Sequence, residues 1–173
     1  MDPVISPHVL DAISELLNQR NAIYSARYFF LIGSSVISGI RNWESKDIDV
    51  YFYYYGDNPK KAKKHKSRFN SVFYNNLTLS LDIDCVESLT IDNYTDGNVS
   101  LTDYIFNEKR NELTVRLGRM NAITPEAYFL IRLPIRNKDK HNTVELIYEK
   151  LFDKTIPPLI REAMERFNLP SFP

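Results

Sequence analysis

Four aspartates and one Gly-Ser pair are the residues in this chain whose types and spacing suggest chemistry. Asp47 and Asp49 alternate in Asp47-Ile48-Asp49-Val50, and Asp82 and Asp84 repeat the arrangement in Leu81-Asp82-Ile83-Asp84. On a strand, alternate residues share a face, so Asp47 and Asp49 would lie roughly 6 to 7 Å apart and point the same way. Magnesium prefers hard oxygen ligands and usually takes one or two carboxylates plus substrate phosphates. Such a pair could share metals roughly 3.5 to 4 Å apart, with Asp82 or Asp84 on a neighbouring strand as the third carboxylate. Gly33-Ser34 has a matching role: glycine lets the backbone approach a phosphate, and Ser34 offers an N–H and a hydroxyl where a short helix begins. No Gly-Lys-Ser/Thr follows, which excludes a Walker loop. Gly39 is the only later glycine nearby, which excludes a dinucleotide fingerprint.

These residues need strands and helices to position them. Ser6-Pro7 reads as a cap and first helical residue, and Val9, Leu10, Ile13, Leu16 and Leu17 recur at helical spacing. Residues 26–32 read as a buried strand that stops at Gly33, and residues 34–40 as one or two helical turns. Residues 47–55 read as a second strand, with Asp47, Asp49 and Tyr51 on one face and Ile48, Val50 and Phe52 on the other. A basic helix is expected from Lys60 to Tyr74. A strand should follow over 77–86, with Leu79, Leu81, Ile83 and Cys85 on one face and Ser80, Asp82, Asp84 and Val86 on the other. Residues 93–98 read as a polar loop, and 101–106 and 112–117 as further strands. Thr124-Pro125-Glu126 starts a helix to Leu133, a second helix covers 143–152, and Pro157-Pro158 introduces a last one to about Phe167. The fold class is α/β (α+β): a short mixed sheet flanked by helices in residues 1–120, with a helical extension, 121–173, packed on it.

Composition narrows the function classes. Basic and acidic residues balance at 22 each, so no global field recruits nucleic acid or an anionic membrane. Cys85 is the only cysteine, which excludes an internal disulfide and a thiolate zinc cluster. The N-terminus lacks a basic start and a continuous apolar run, and no 18-residue apolar stretch occurs, so no membrane contact and a cytoplasmic location are expected. The sequons at Asn76, Asn93 and Asn98 then carry no glycan.

Ile32-Gly33-Ser34, the twelve residues from Ser35 to Lys46, Asp47-Ile48-Asp49-Val50 and Leu81-Asp82-Ile83 follow one another in the order and spacing of a known signature. The chain resembles the polymerase-β-like nucleotidyltransferases, and Ser45-Lys46-Asp47-Ile48-Asp49 looks like the core of their small stand-alone members. Thr124-Pro125-Glu126 with Arg136-Asn137-Lys138-Asp139-Lys140-His141 is similar to the helical region of antibiotic- and antitoxin-type members. The resemblance implies transfer of a nucleoside monophosphate from an NTP to a hydroxyl, with release of pyrophosphate. It implies Mg2+ or Mn2+ on Asp47, Asp49 and Asp82, proton abstraction by Asp82, and nucleotide contacts from Gly33, Ser34 and Lys138. Asp82 is preferred over Asp84 because hydrophobic-any-hydrophobic follows it, although Ile83-Asp84-Cys85 fits the short form equally well.

The acceptor stays open between a small molecule, a protein side chain and an RNA end. Lys60, Lys61, Lys63, Lys64, Lys66 and Arg68 form either a solvated helix face or a contact for RNA or an acidic partner. Tyr53, Tyr54 and Tyr55 pack or stack a base, and Trp43 packs or covers the nucleotide. His8, His65 and His141 have no ligand spacing. A second function class is a catalytically inactive module of the same fold that binds a partner protein or RNA, as an antitoxin or inhibitor would.

Overall fold

The computed structural model describes residues 7–24, 28–33, 36, 47–53, 68–74, 77–86, 88–135 and 141–172. The chain divides into two compact units, one comprising Met1–Ser88 and Val115–Ile123, the other Leu89–Thr114 and Thr124–Pro173. The architecture is mixed α/β. Among the described residues no helix is long and apolar enough to cross a membrane.

The first unit opens with helix α1 (Pro7–Tyr24), which starts at a proline whose missing N–H would have had no helical partner. Its buried residues Leu10, Ile13, Ser14 and Leu17 fall at helical spacing, and the helix packs against the strands Arg68–Tyr74 and Met120–Ile123. The sheet has six strands: β1 (Tyr28–Leu31), β2 (Asp47–Tyr53), β3 (Arg68–Tyr74), β4 (Leu77–Val86), β7 (Thr114–Leu117) and β8 (Met120–Ile123). Their spatial order is β3-β4-β2-β1-β8-β7. The sheet is mixed because β1 runs antiparallel to β2 but parallel to β8, while β2 runs parallel to β4 and β4 antiparallel to β3. Ile48, Val50, Ile83, Cys85 and Ala122 are buried among these strands, and Phe29 meets its cross-strand partner Phe52 edge-on at 6.3 Å. Gly118, at φ +58, allows the tight turn between β7 and β8. The Ser14 hydroxyl donates to the Arg119 carbonyl at 3.2 Å and ties α1 to that turn.

Four expected elements take another form. Arg68–Tyr74 is strand β3, where a continuation of the basic helix was expected; residues 60–67 lie outside the described residues. Phe69, Val72, Phe73 and Tyr74 are strand-favouring residues, and the open edge of the ten-residue β4 satisfies their backbone groups. Leu101–Phe106 is helical, where a strand was expected: α2 (Leu101–Asp103) runs into a π-helical turn at Tyr104–Glu108. Ser100 caps it, its hydroxyl oxygen accepting from the Asp103 N–H at 3.1 Å. Only Thr114–Leu117 of the expected strand at 112–117 is extended, because Arg110–Leu113 forms one helical turn, α3. The expected loop at 93–98 contains a short hairpin of β5 (Thr95–Asp96) and β6 (Val99–Ser100), with Gly97 at φ +63 in its turn.

The second unit is built on aromatic packing. Helix α4 (Pro125–Arg132) starts as expected: the Thr124 hydroxyl oxygen accepts from the Ala127 N–H at 3.2 Å, and Pro125 follows the cap. Its Phe129 is fully buried and meets Phe152 at 5.1 Å and Phe172 at 5.5 Å, both edge-on. α5 (His141–Leu146) passes into a π-helical turn, Ile147–Leu151, and α6 (Pro158–Arg166) delivers Ile160, Ala163 and Phe167 to the interior. Arg166 gathers the periphery, donating to Asp96 on the hairpin and to Glu108 at 2.9 Å each, with its guanidinium over the Tyr104 and Phe167 rings. Asp92 accepts from the Leu89 N–H at 3.0 Å and from the Thr102 hydroxyl, closing the loop before the hairpin.

Burial, reinforced by the nearby Glu162 and Glu108, pushes the Tyr104 phenol up to about 12 from its ordinary value of 10. The unfolded chain therefore loses this proton first. Its contribution to stability is complete below about pH 10 and disappears as the pH rises through about 12. Thermal unfolding of the wild type should weaken more steeply over that window than unfolding of Tyr104→Phe. At neutral pH the variant should lose less than about 1 kcal/mol, because the Tyr104 bond to the Leu159 carbonyl is long, 3.5 Å. Parallel pH slopes in the two proteins would contradict this account.

Candidate functional site

The acidic residues meet through the pairing of β2 with β4. These strands are parallel and in register, so Asp47 is the partner of Asp82 and Asp49 the partner of Asp84. Directly opposite positions of neighbouring strands share a face, so the four acidic positions form two adjacent rows on one face. The intervening residues Ile48, Val50, Ile83 and Cys85 are all buried, which pins that register, since a one-residue slip would exchange the two faces. Asp49 and Asp84 are half-buried and each takes part in a hydrogen-bonding, ionic or electrostatic interaction. The side chains of Asp47 and Asp82 lie outside the described residues, and their positions follow from the backbone register. Among the described residues no three His, Cys, Asp or Glu side chains gather as a metal cluster.

Gly33 is brought against this face by β1. The Ile32 N–H donates to the Asp49 carbonyl at 3.0 Å, continuing the β1–β2 ladder one residue beyond the strand. The chain then turns, with the Val36 N–H donating to the Gly33 carbonyl at 3.1 Å. A Cβ placed on Gly33 would lie 2.7 Å from Oδ2, 3.2 Å from Cβ and 3.3 Å from Cγ of Asp49. The Asp49 side chain occupies the space that any other residue at position 33 would need. Glycine allows this close approach, and a side chain at position 33 would have to displace the Asp49 carboxylate.

One feature of β4 departs from simple alternation. On the β3–β4 ladder Phe69 pairs with Ile83 and Ser71 with Ser80, so β4 carries one extra residue, a bulge at Leu81-Asp82 opposite Asn70. Ile83 and Ser80 therefore share a face, which corrects the expectation that Ser80 lies with Asp82 and Asp84. The extra residue reverses the parity of the strand before it. Bulges often re-aim a side chain beside a functional site, and this one falls on a candidate carboxylate.

The structure thus brings Gly33, Asp47, Asp49, Asp82 and Asp84 together by backbone pairing and contact. Ser34, Trp43, Tyr54, Tyr55, Lys60, Lys61, Lys63, Lys64, Lys66, Arg136, Lys138 and Lys140 lie outside the described residues. Tyr53 is 2% exposed and packs beside Tyr51, so it serves as core and presents no face to a base. Sequence reasoning missed that Arg68 becomes the β3 partner of Asp84. The available signal was the strand-like segment from Arg68 to Tyr74, hidden at the end of a lysine run.

Family models, curated proteins and solved structures return no match to this chain. The contact between Gly33 and Asp49 can be tested on its own. Gly33→Ala should cost about 1–3 kcal/mol through overpacking, read from urea unfolding, and most of that cost should vanish in an Asp49→Ala background, where the obstructing carboxylate is gone. An equal penalty in both backgrounds would mean that the two residues do not crowd one another.

Proposed function

We propose that this protein is a metal-dependent nucleotidyltransferase of the polymerase-β-like type, moving a nucleoside monophosphate from an NTP to a hydroxyl acceptor. The observation that carries the reading is the parallel register that sets Asp47-Ile48-Asp49 beside Asp82-Ile83-Asp84, with the Gly33 backbone pressed on the Asp49 carboxylate. Two adjacent rows of acidic positions repel one another and gain nothing for the fold by themselves, whereas a divalent cation would compensate them. The donor set fits Mg2+ or Mn2+, because it is made of carboxylate oxygens and contains neither thiolate nor imidazole. Asp47, Asp49 and Asp82 would hold the ions. When bound, a divalent cation supplies charge neutralisation at the phosphates and acidifies an oxygen nucleophile.

The chain's own residues account for the remaining steps. The Gly33-Ser34 turn would hold the phosphates, Ser34 offering an N–H and a hydroxyl, while the missing side chain of Gly33 leaves room for the Asp49 carboxylate beside it. Asp49, whose carboxylate lies against the Gly33 backbone, would be a ligand of the cation. Asp82 accepts the proton of the acceptor hydroxyl as that oxygen bonds to the α-phosphorus. The bond from the α-phosphorus to the bridging oxygen breaks, and pyrophosphate leaves with the bonding electrons. Lys138 is assigned to the triphosphate, where a cation stabilises developing charge.

The alternative, an inactive module of the same fold, is separated by two measurements. Mg2+-dependent NTP binding followed by calorimetry should be clear for the wild type and lost in Asp47→Asn. Incubation with labelled NTPs and a cell extract should yield a labelled acceptor, and Asp49→Asn should reduce that labelling at least about a hundredfold while leaving the circular dichroism spectrum unchanged. Undiminished labelling by a clean Asp49→Asn preparation would defeat the proposal.

A further inference from the structure

The stretch after α6 returns to the second unit through an aromatic side chain. α6 ends in a Schellman turn: the Asn168 N–H donates to the Glu165 carbonyl at 3.3 Å and the Leu169 N–H to the Met164 carbonyl at 2.9 Å. Asn168, at φ 52, takes the left-handed position of that turn, which asparagine enters at little cost. Leu169 is buried, so the exit of the chain from α6 is fixed there. Pro170 and Ser171 are exposed. Phe172 then turns back inward, half-buried, and sets its ring edge-on to two others, 5.5 Å from Phe129 on α4 and 4.7 Å from Tyr148 on the π-helical turn.

We propose that residues 170–172 are a releasable strap, with Phe172 as a plug that leaves the Phe129 and Tyr148 rings while the rest of the second unit stays folded. Two features separate the strap from the interior. The first is depth: Phe129 is fully buried and keeps Phe152, 5.1 Å away and itself buried, as an aromatic neighbour when Phe172 is out. The second is the hinge: both Schellman bonds lie before Pro170, so the strap can swing without breaking a hydrogen bond of the α6 cap. Segments held by few buried contacts open ahead of the whole. The plug also states what the opened place accepts, namely an extended segment that presents a phenylalanine. Its occupant in the closed state is the chain's own residue 172, and the proposal stands apart from the transferase reading.

The test uses the full chain and a free peptide with the sequence of residues 168–173. In the wild type, NMR relaxation dispersion should show microsecond-to-millisecond exchange at the Phe172 and Tyr148 rings and none at the buried Ile160 and Phe167. Phe172→Ala should unfold at a slightly lower urea concentration with an unchanged slope. Its Phe129 and Tyr148 ring signals should move, while those of Ile160 and Phe167 stay in place. A tether supplies an effective concentration of about millimolar, so peptide added at that level should return the shifted ring signals of the variant toward their wild-type positions. The same peptide with alanine in place of its phenylalanine should leave them where they are. Exchange at Phe167 matching that at Phe172, or a Phe172→Ala chain that fails to fold, would make this ring part of the common core and overturn the proposal. A folded variant whose ring signals ignore the phenylalanine peptide would overturn it as well.

Discussion

The parallel pairing of β2 with β4 is the constraint on which the site depends. It sets four like-charged positions in two adjacent rows, an arrangement that opposes the fold by about 0.2–1 kcal/mol for each facing pair. The same pairing buries Ile48, Val50, Ile83 and Cys85 on the opposite face, and a fully buried aliphatic side chain contributes about 1.5–3 kcal/mol. The apolar face outweighs the acidic one, so the strands hold their register.

The remainder of the first unit serves this pairing. β1 supplies the antiparallel partner of β2 and delivers Gly33 against Asp49, where a side chain on residue 33 would push the carboxylate aside. β3 covers the far edge of β4 and introduces a bulge at the candidate ligand Asp82 and an arginine opposite its neighbour Asp84. α1 packs on β3 and β8 and buries Leu10, Ile13 and Leu17. In the second unit the stabilising elements are of another kind: edge-on rings around Phe129 and Tyr104, with Arg166 tying the hairpin to α6 at the surface. Exposed ion pairs of this sort are weak compared with buried rings, so the aromatic cluster is the main support and Arg166 a trim on it.

Much of the sheet was legible before any coordinates because its strands carry strong local signals. β4 occupies the expected residues 77–86, and β1 and β2 fall inside their expected spans, since β1 is an aromatic run that stops near a glycine and β2 and β4 alternate apolar with polar residues. The failures have identifiable causes. The lysine-rich approach to β3 masked a strand whose backbone groups are satisfied by the following strand, with partners from Tyr74↔Leu77 out to Arg68↔Asp84. At Leu101 an apolar run suggested a strand, but the Ser100 cap and the burial of Tyr104, Ile105 and Phe106 selected a helix. The parity change in β4 was invisible, because a bulge is a property of two strands together and leaves no mark in either alone.

By itself the sequence determined the chemistry available: two alternating aspartate pairs, a glycine ahead of a turn, no thiolate cluster, and apolar residues spaced to bury one face of each strand. Those are local properties, readable from residue type and period. Only the tertiary structure decided that Asp47 lies beside Asp82 and Asp49 beside Asp84, that Gly33 touches Asp49, and that Arg68 falls opposite Asp84. Partner choice between strands is set by hydrogen bonding and burial over the whole sheet. A residue's neighbours across a sheet are therefore written in the pairing of distant segments and not in its own surroundings along the chain.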